Sequence, residues 1–319
     1  MISLFWARKL VATLGDSHTS VIDSRYQGFP TPYTAELKEN GELLFLEVPS
    51  YSAGTQAGVS AGWKIYVDSP HLWLETAGSS RALSKIAARN FLSLTADEKI
   101  LTAHSPDTAE KITWREKREL PRGKDYLEIH KESSHTTYLK FSAFYTGMGI
   151  FEKLVELCKS STSDDTLVID LRGNTGGNLM LAKDMRELFL RQKTLLGYTS
   201  FTDGCGHLSE LVPCWGFPSS HVSWQGSLIV LIDELTYSAA EDFVLGLQGL
   251  SYVKILGKTS GGGSGRPRSL PLGPQLTLRI STAITYDRNK RPIEHYGIQP
   301  DDSIPESLYS TTDSTNTFS

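Results

Sequence analysis

The sequence predicts an α/β chain, a mostly β region followed by a layered α/β core. Three observations carry this prediction. Residues 31–119 read as short strand-like runs punctuated by Gly and Pro turns. Beyond the turn-rich stretch 121–125, strand runs alternate with helical periodicity, the pattern of a layered sheet-and-helix domain. The chain has 319 residues, of which 39% are hydrophobic, enough for about two domains with sizeable cores.

In chain order, residues 1–20 read as an amphipathic helix ending near Gly15. Arg8 and Lys9 lie inside its apolar pattern, not ahead of it, which argues against a signal peptide. The expectation is an intracellular protein, or one whose leader lies outside this sequence. The expected division is an N-terminal segment (1–30), a β-rich domain (31–120), a core (121–302) and a Ser/Thr-rich tail without fixed structure (303–319). Within the core, strands are expected at 136–141, 166–171, 228–232, 253–256 and 276–281. Helices are expected at 149–159, 178–191 and 238–247.

Composition excludes several classes. The net charge is −4 with no long basic run, so nucleic acid is not indicated as a partner. No apolar stretch reaches the roughly 18 residues of a membrane span. Three cysteines occur: Cys158 in an apolar helical run reads as a core thiol, while Cys205 and Cys214 could close a loop in an oxidising compartment. With His207 they do not make a metal site, and no cofactor motif is present. Gly257-Lys258-Thr259 ends like a phosphate-binding loop, but Tyr252 stands where its first glycine belongs.

The segment 228–247 is the most informative. An apolar strand run stops at a polar turn, and a helical pattern starts at Ser238. Backbone N–H groups in the first turn of a helix have no intrahelical partner, so a serine there can attack a carbonyl beside ready-made oxyanion donors. Ser238-x-x-Glu241 also fits a capping box, and the residues alone leave both roles open. Four further motifs accompany it: Asp16-Ser17-His18-Thr19, where flanking polar side chains could fix the imidazole tautomer; Asp170-Leu171-Arg172-Gly173-Asn174-Thr175-Gly176-Gly177 after a strand; the glycine-dense loop 257–265, a flap or a long turn; and Glu294-His295 before Gly297-Ile298-Gln299-Pro300-Asp301.

In this order the five motifs resemble those of the C-terminal processing (tail-specific) and tricorn-core family of serine peptidases, over roughly residues 10–302. The resemblance implies a crotonase-like ββα-spiral core. It also implies a PDZ domain, and Ala57-Gly58-Val59 followed by Gly62-Trp63-Lys64-Ile65 looks like its usual pattern, with Lys64 in place of the usual acid or polar residue. Members of the tail-specific branch place a dyad lysine 25 residues after the nucleophile, which here falls on Gly263; Lys258 is the nearest lysine. The His-type, tricorn-like branch is therefore favoured. That branch implies Ser238 as nucleophile, His18 as general base and Ser17 linking His18 to Glu294. The oxyanion hole would come from Ala239 with Gly176 or Gly177. A peptide or unfolded protein is the implied substrate. Family members are mostly exported, although this sequence shows no signal peptide. The alternatives are a non-catalytic peptide- or ligand-binding relative, an adaptor acting through the PDZ-like domain, and an acyl-CoA enzyme of related fold.

Overall fold

The computed structural model describes residues 4–16, 18–26, 31–78, 81–93, 97–117, 127–220 and 222–305. Ser17 and most of the expected Ser/Thr-rich tail lie outside these residues. The chain forms two compact units, one from residues 1–120 with 265–282, the other from 121–264 with 283–319.

The first unit begins with α1 (Leu4–Ala12) and β1 (Ser20–Asp23). There follow β2 (Thr34–Leu37), β3 (Glu42–Glu47), α2 (Ala53–Ala57), β4 (Lys64–Tyr66), α3 (His71–Leu74), α4 (Leu83–Leu92), β5 (Glu98–His104) and β6 (Lys111–Lys117). Strands β2 to β6 form an antiparallel sheet in sequence order, and α4 packs on β2. Period-2 alternation sets the faces: in β6, Trp114 and Glu116 turn inward. Glu116 is kept in that core by hydrogen bonds from Trp114 Nε1 (2.7 Å) and the Tyr33 hydroxyl. The Ala57-Gly58 pair ends α2, which is capped by Ser52 Oγ, accepting from Thr55 N–H, and closed by Gly58 at φ 100°.

The second unit contains β7 (Leu127–Lys131), β8 (Thr136–Phe141), α5 (Ile150–Ser160), β9 (Thr166–Asp170), α6 (Leu179–Glu187), β10 (Thr194–Phe201), β11 (Val212–Gly216), β12 (Ser227–Ile232), α7 (Ala239–Leu247) and β13 (Val253–Gly257). Beyond these in the chain come β14 (Arg268–Pro271) and β15 (Leu276–Ile280), both in the first unit, and then β16 (Ala283–Tyr286) in the second. The expected core range 121–302 is thus interrupted: β15 pairs with β1, Ser20 opposite Arg279, in the sheet β1-β15-β14.

The main sheet of the second unit has the order β13-β12-β9-β8-β7, parallel except for β7. Its strands read as continuous apolar runs because both faces are covered. Leu167 and Ile169 point into the main cluster with Phe243 and Val230, while Val168 joins Tyr138, Leu231, Leu256 and Ile304 on the other face. α5 buries Ile150, Leu154 and Cys158 at four-residue spacing. α6 stops at Glu187, short of the expected 191. The adjacent carboxyl ends of β9 and β12 open into the turns 171–178 and 233–238, the end of a parallel sheet where ligands bind. All three cysteines are free thiols, and burial pushes the Cys158 thiol up to about 12. Among the described residues, no helix is long and apolar enough to cross a membrane, and no cluster of His, Cys, Asp and Glu could hold a metal ion.

Candidate active site

Ser238 sits between the β12 turn and α7 with φ 60° and ψ −120°. A non-glycine residue there is strained, at a cost of about 1–3 kcal/mol, and such strain gathers at functional turns. The surrounding turn over-determines it. Asp233 Oδ1 accepts from Gly173, Leu235 and Thr236 N–H, and Thr236 Oγ1 donates to Leu171 O at 2.8 Å. Tyr237 N–H donates to Asn174 O, which ties this turn to the β9 turn. The carboxylate side of the expected capping box is made: Ser238 N–H donates to Glu241 Oε2 at 3.1 Å.

The Gly-rich turn after β9 packs against Ser238. A side chain at Gly176 would come within 2.7 Å of Ser238 Cβ and 2.8 Å of Ala239 N. Asn174 is fully buried and shapes the turn, its amide donating to Phe141 O and its Oδ1 accepting from Gly176 N–H, both at 2.9 Å. The Gly176 N–H is therefore committed, which corrects its candidacy as an oxyanion donor. Gly177 is exposed, at φ 133°, and its N–H, like that of Ala239, makes no hydrogen bond among the described residues. At the base of the turn, Asp170 is buried and accepts from the Arg172 guanidinium and the Tyr138 hydroxyl. Burial raises the Tyr138 pKa and Asp170 adds to it; burial works against the Arg172 charge, but the bonded Asp170 carboxylate raises the Arg172 pKa overall.

The loop 257–265 is not a flap, because residues 260–265 are buried. Its anchor is Glu241, at 0% exposure, which accepts from Ser260 Oγ (2.5 Å), Gly262 N–H (2.8 Å) and Gly263 N–H (2.8 Å) as well as from Ser238. Burial pushes the Glu241 carboxyl up to about 7, against these four hydrogen bonds, which favour the charged form. The Tyr237 ring fills the space beside the loop: a Cβ on Gly263 would lie 1.7 Å from its Cζ. A side chain at this position would require the Tyr237 ring to move. Lys258 is solvent-facing, near Glu234 at 3.4 Å.

Glu294 Oε2 accepts from both Ser264 N–H (2.9 Å) and Ser264 Oγ (3.1 Å), and the Ser264 hydroxyl also accepts from Thr285 N–H (3.0 Å). Ser264 and the buried, loop-binding role of Glu241 were missed in the sequence. Glu241 left one trace, an acid inside the apolar run 239–247; Ser264 left none.

His18, in the first unit, is 6% exposed. Asp16 does not orient its ring: one carboxylate oxygen accepts from His18 N–H (2.9 Å), the other from Thr19 Oγ1 (2.5 Å). Thr19 Oγ1 accepts in turn from Ser281 N–H. These polar side chains therefore shape the backbone turn, and Gly265 N–H reaches His18 Nδ1 at 3.5 Å. Burial lowers the His18 pKa to about 4; Asp16 opposes this and Arg279 adds to it. The imidazole is neutral at pH 7, the state a proton acceptor needs.

The sequence is 23% identical over 320 residues to carboxyl-terminal-processing peptidase 3, chloroplastic, of Arabidopsis thaliana, covering 92% of this chain and 59% of the relative. It is 29% identical over 182 residues to a carboxyl-terminal-processing protease of Picosynechococcus sp., covering 55% of this chain and 41% of that protein. The chain thus spans about half the length of these curated relatives. Its fold is that of mature CPAF complexed with lactacystin (TM-score 0.67, 15% identity, 95% of this chain and 83% of the other). It is also that of the photosystem II D1 C-terminal processing protease (TM-score 0.58, 18% identity, 93% and 80%). The α/β expectation is met. The model of peptidase family S41 matches residues 135–304, from β8 through the Ser238 turn to the Glu294 segment. Since that match takes in more than half of the sequence, the chain belongs to peptidase family S41.

Proposed function

We propose that the chain is a serine endopeptidase working through an acyl-enzyme, with Ser238 as nucleophile. The observation that carries this reading is the Ser238 turn: a strained, partly exposed serine opens α7 beside two uncommitted N–H groups, those of Ala239 and Gly177. Ser238 Oγ bonds to the scissile carbonyl carbon and its proton passes to a base. The two N–H groups stabilise the oxyanion, each by about 3 kcal/mol. The proton returns to the leaving amine, and water then hydrolyses the ester. The family resemblance assigns the base to His18, supported by Ser17 and Glu294. Its neutral ring at pH 7 suits that role. Substrates are peptides or unfolded proteins, and the names of the curated relatives favour carboxyl-terminal segments. The PDZ-like region, 31–120, would hold such a segment by strand addition.

The test is labelling with a fluorophosphonate, followed by cleavage-site mapping on a peptide library by mass spectrometry. Label on Ser238, and no cleavage by Ser238→Ala, is the expected result. Label on another residue, or cleavage retained in Ser238→Ala, overturns the assignment.

A further inference from the structure

Glu241 does more than close a helix cap. Its two oxygens each take two donors: Ser260 Oγ and Gly262 N–H on Oε1, Gly263 N–H and Ser238 N–H on Oε2. An ionised carboxylate is acceptor-only with about four lone-pair sites, so this set fills it. The donors come from two places in the chain. Ser238 belongs to the nucleophile turn, the other three to the glycine loop.

The loop is also bonded to the segment that carries Glu294. His295 N–H donates to Gly262 O at 2.9 Å, Ile298 N–H to Ser260 Oγ at 2.7 Å, and Ser260 N–H to Ile298 O at 3.1 Å. Ser264, at the end of the loop, holds Glu294 itself. Glu241 therefore joins the Ser238 N–H to the Glu294 segment, beside a backbone bond farther back in the turn, where Gly261 N–H donates to Thr236 O at 2.9 Å.

We propose that Glu241 is a positioning residue: its carboxylate sets the Ser238 turn in register with the glycine loop and, through that loop, with the Glu294 segment. This rests on the reading of Ser238 as nucleophile. A glutamine at position 241 has the same shape, but its NH2 group would face two donors, so the register is lost while the packing is kept.

The experiment compares Glu241→Gln and Ser260→Ala with the unaltered chain. It measures kcat and KM per active site titrated by fluorophosphonate, melting temperature, and amide exchange at Gly262 and Gly263. Glu241→Gln should lower kcat by about 10²-fold, the scale of a 1 Å misplacement, with KM within about twofold. Exchange at Gly262 and Gly263 should rise. Ser260→Ala should move kcat and exchange the same way by less. Unchanged kcat per titrated site in Glu241→Gln, even with a lower melting temperature, would mean a merely structural residue and would overturn the proposal. If Glu241→Gln does not fold, Ser260→Ala decides by the same criterion. Label on a residue other than Ser238 would defeat the nucleophile assignment, whereas unchanged amide exchange would defeat the Glu241 proposal.

Discussion

At the scale of single residues, two titrating groups with opposite shifts govern the pH behaviour. Glu241 is pushed up to about 7 by burial, and His18 down to about 4 by burial with Arg279 adding. The proposed activity needs Glu241 ionised and His18 neutral, so both groups remove activity as pH falls, but Glu241 does so first. The acid limb of kcat/KM should therefore lie near 7, and in Glu241→Gln the remaining activity should keep a limb only nearer 4. A pH–rate profile of both proteins checks this; one limb near the ordinary histidine value in both would contradict it. Gly263 supplies a second residue-scale prediction. Because its Cβ would enter the Tyr237 ring at 1.7 Å, Gly263→Ala should destabilise the fold by about 1–3 kcal/mol, seen as a lower urea midpoint. A lysine introduced at this position should carry the same steric cost.

At the scale of elements, the site is made by turns that β9 and β12 present side by side, and Asn174 joins them. Its side chain spans Phe141 O and Gly176 N–H, while its carbonyl accepts from Tyr237 N–H. Asn174→Ala should cost about 1–3 kcal/mol in urea unfolding, the penalty for unpaired buried polar groups. It should also slow fluorophosphonate labelling, because the Gly176-Gly177 turn loses the bond that holds it. These elements were legible in the sequence because apolar runs and helical spacing are local signals: β8, β9, β12, β13, α5 and α7 lie within a residue or two of their expected ends. What was not legible was where polar groups meet. The polar side chains flanking His18 were expected to fix its tautomer, and of these Asp16 binds the His18 N–H and the Thr19 hydroxyl instead; Gly176 was a candidate donor until Asn174 took its N–H. Such partners depend on contacts between residues far apart in sequence, or on χ angles, and no spacing encodes them.

At the scale of the whole molecule, His18 and Glu241 make opposite contributions to the pH dependence of stability, one in each unit. In the first unit, His18 is about 4 in the folded chain and 6.5 when unfolded. Between these values the unfolded state binds more protons, so stability rises with pH and is lost on acidification from 6.5 towards 4. In the second unit, Glu241 is about 7 folded and 4.5 unfolded. There the folded state binds more protons, so stability falls as pH rises from 4.5 to 7. Each effect is worth at most roughly 3 kcal/mol. If the units unfold separately, their urea midpoints should move in opposite directions between pH 4.5 and 6.5. If they unfold together, the two slopes cancel and the midpoint stays nearly flat. His18→Gln should then expose the Glu241 slope, giving a protein whose midpoint falls steadily with rising pH. Glu241→Gln should expose the opposite slope. Urea titrations of the three proteins at pH 4.5, 5.5 and 6.5 measure this directly. A rising midpoint in His18→Gln would show that the ionised Glu241 carboxylate, with its four donors, is not the costly state that burial makes it.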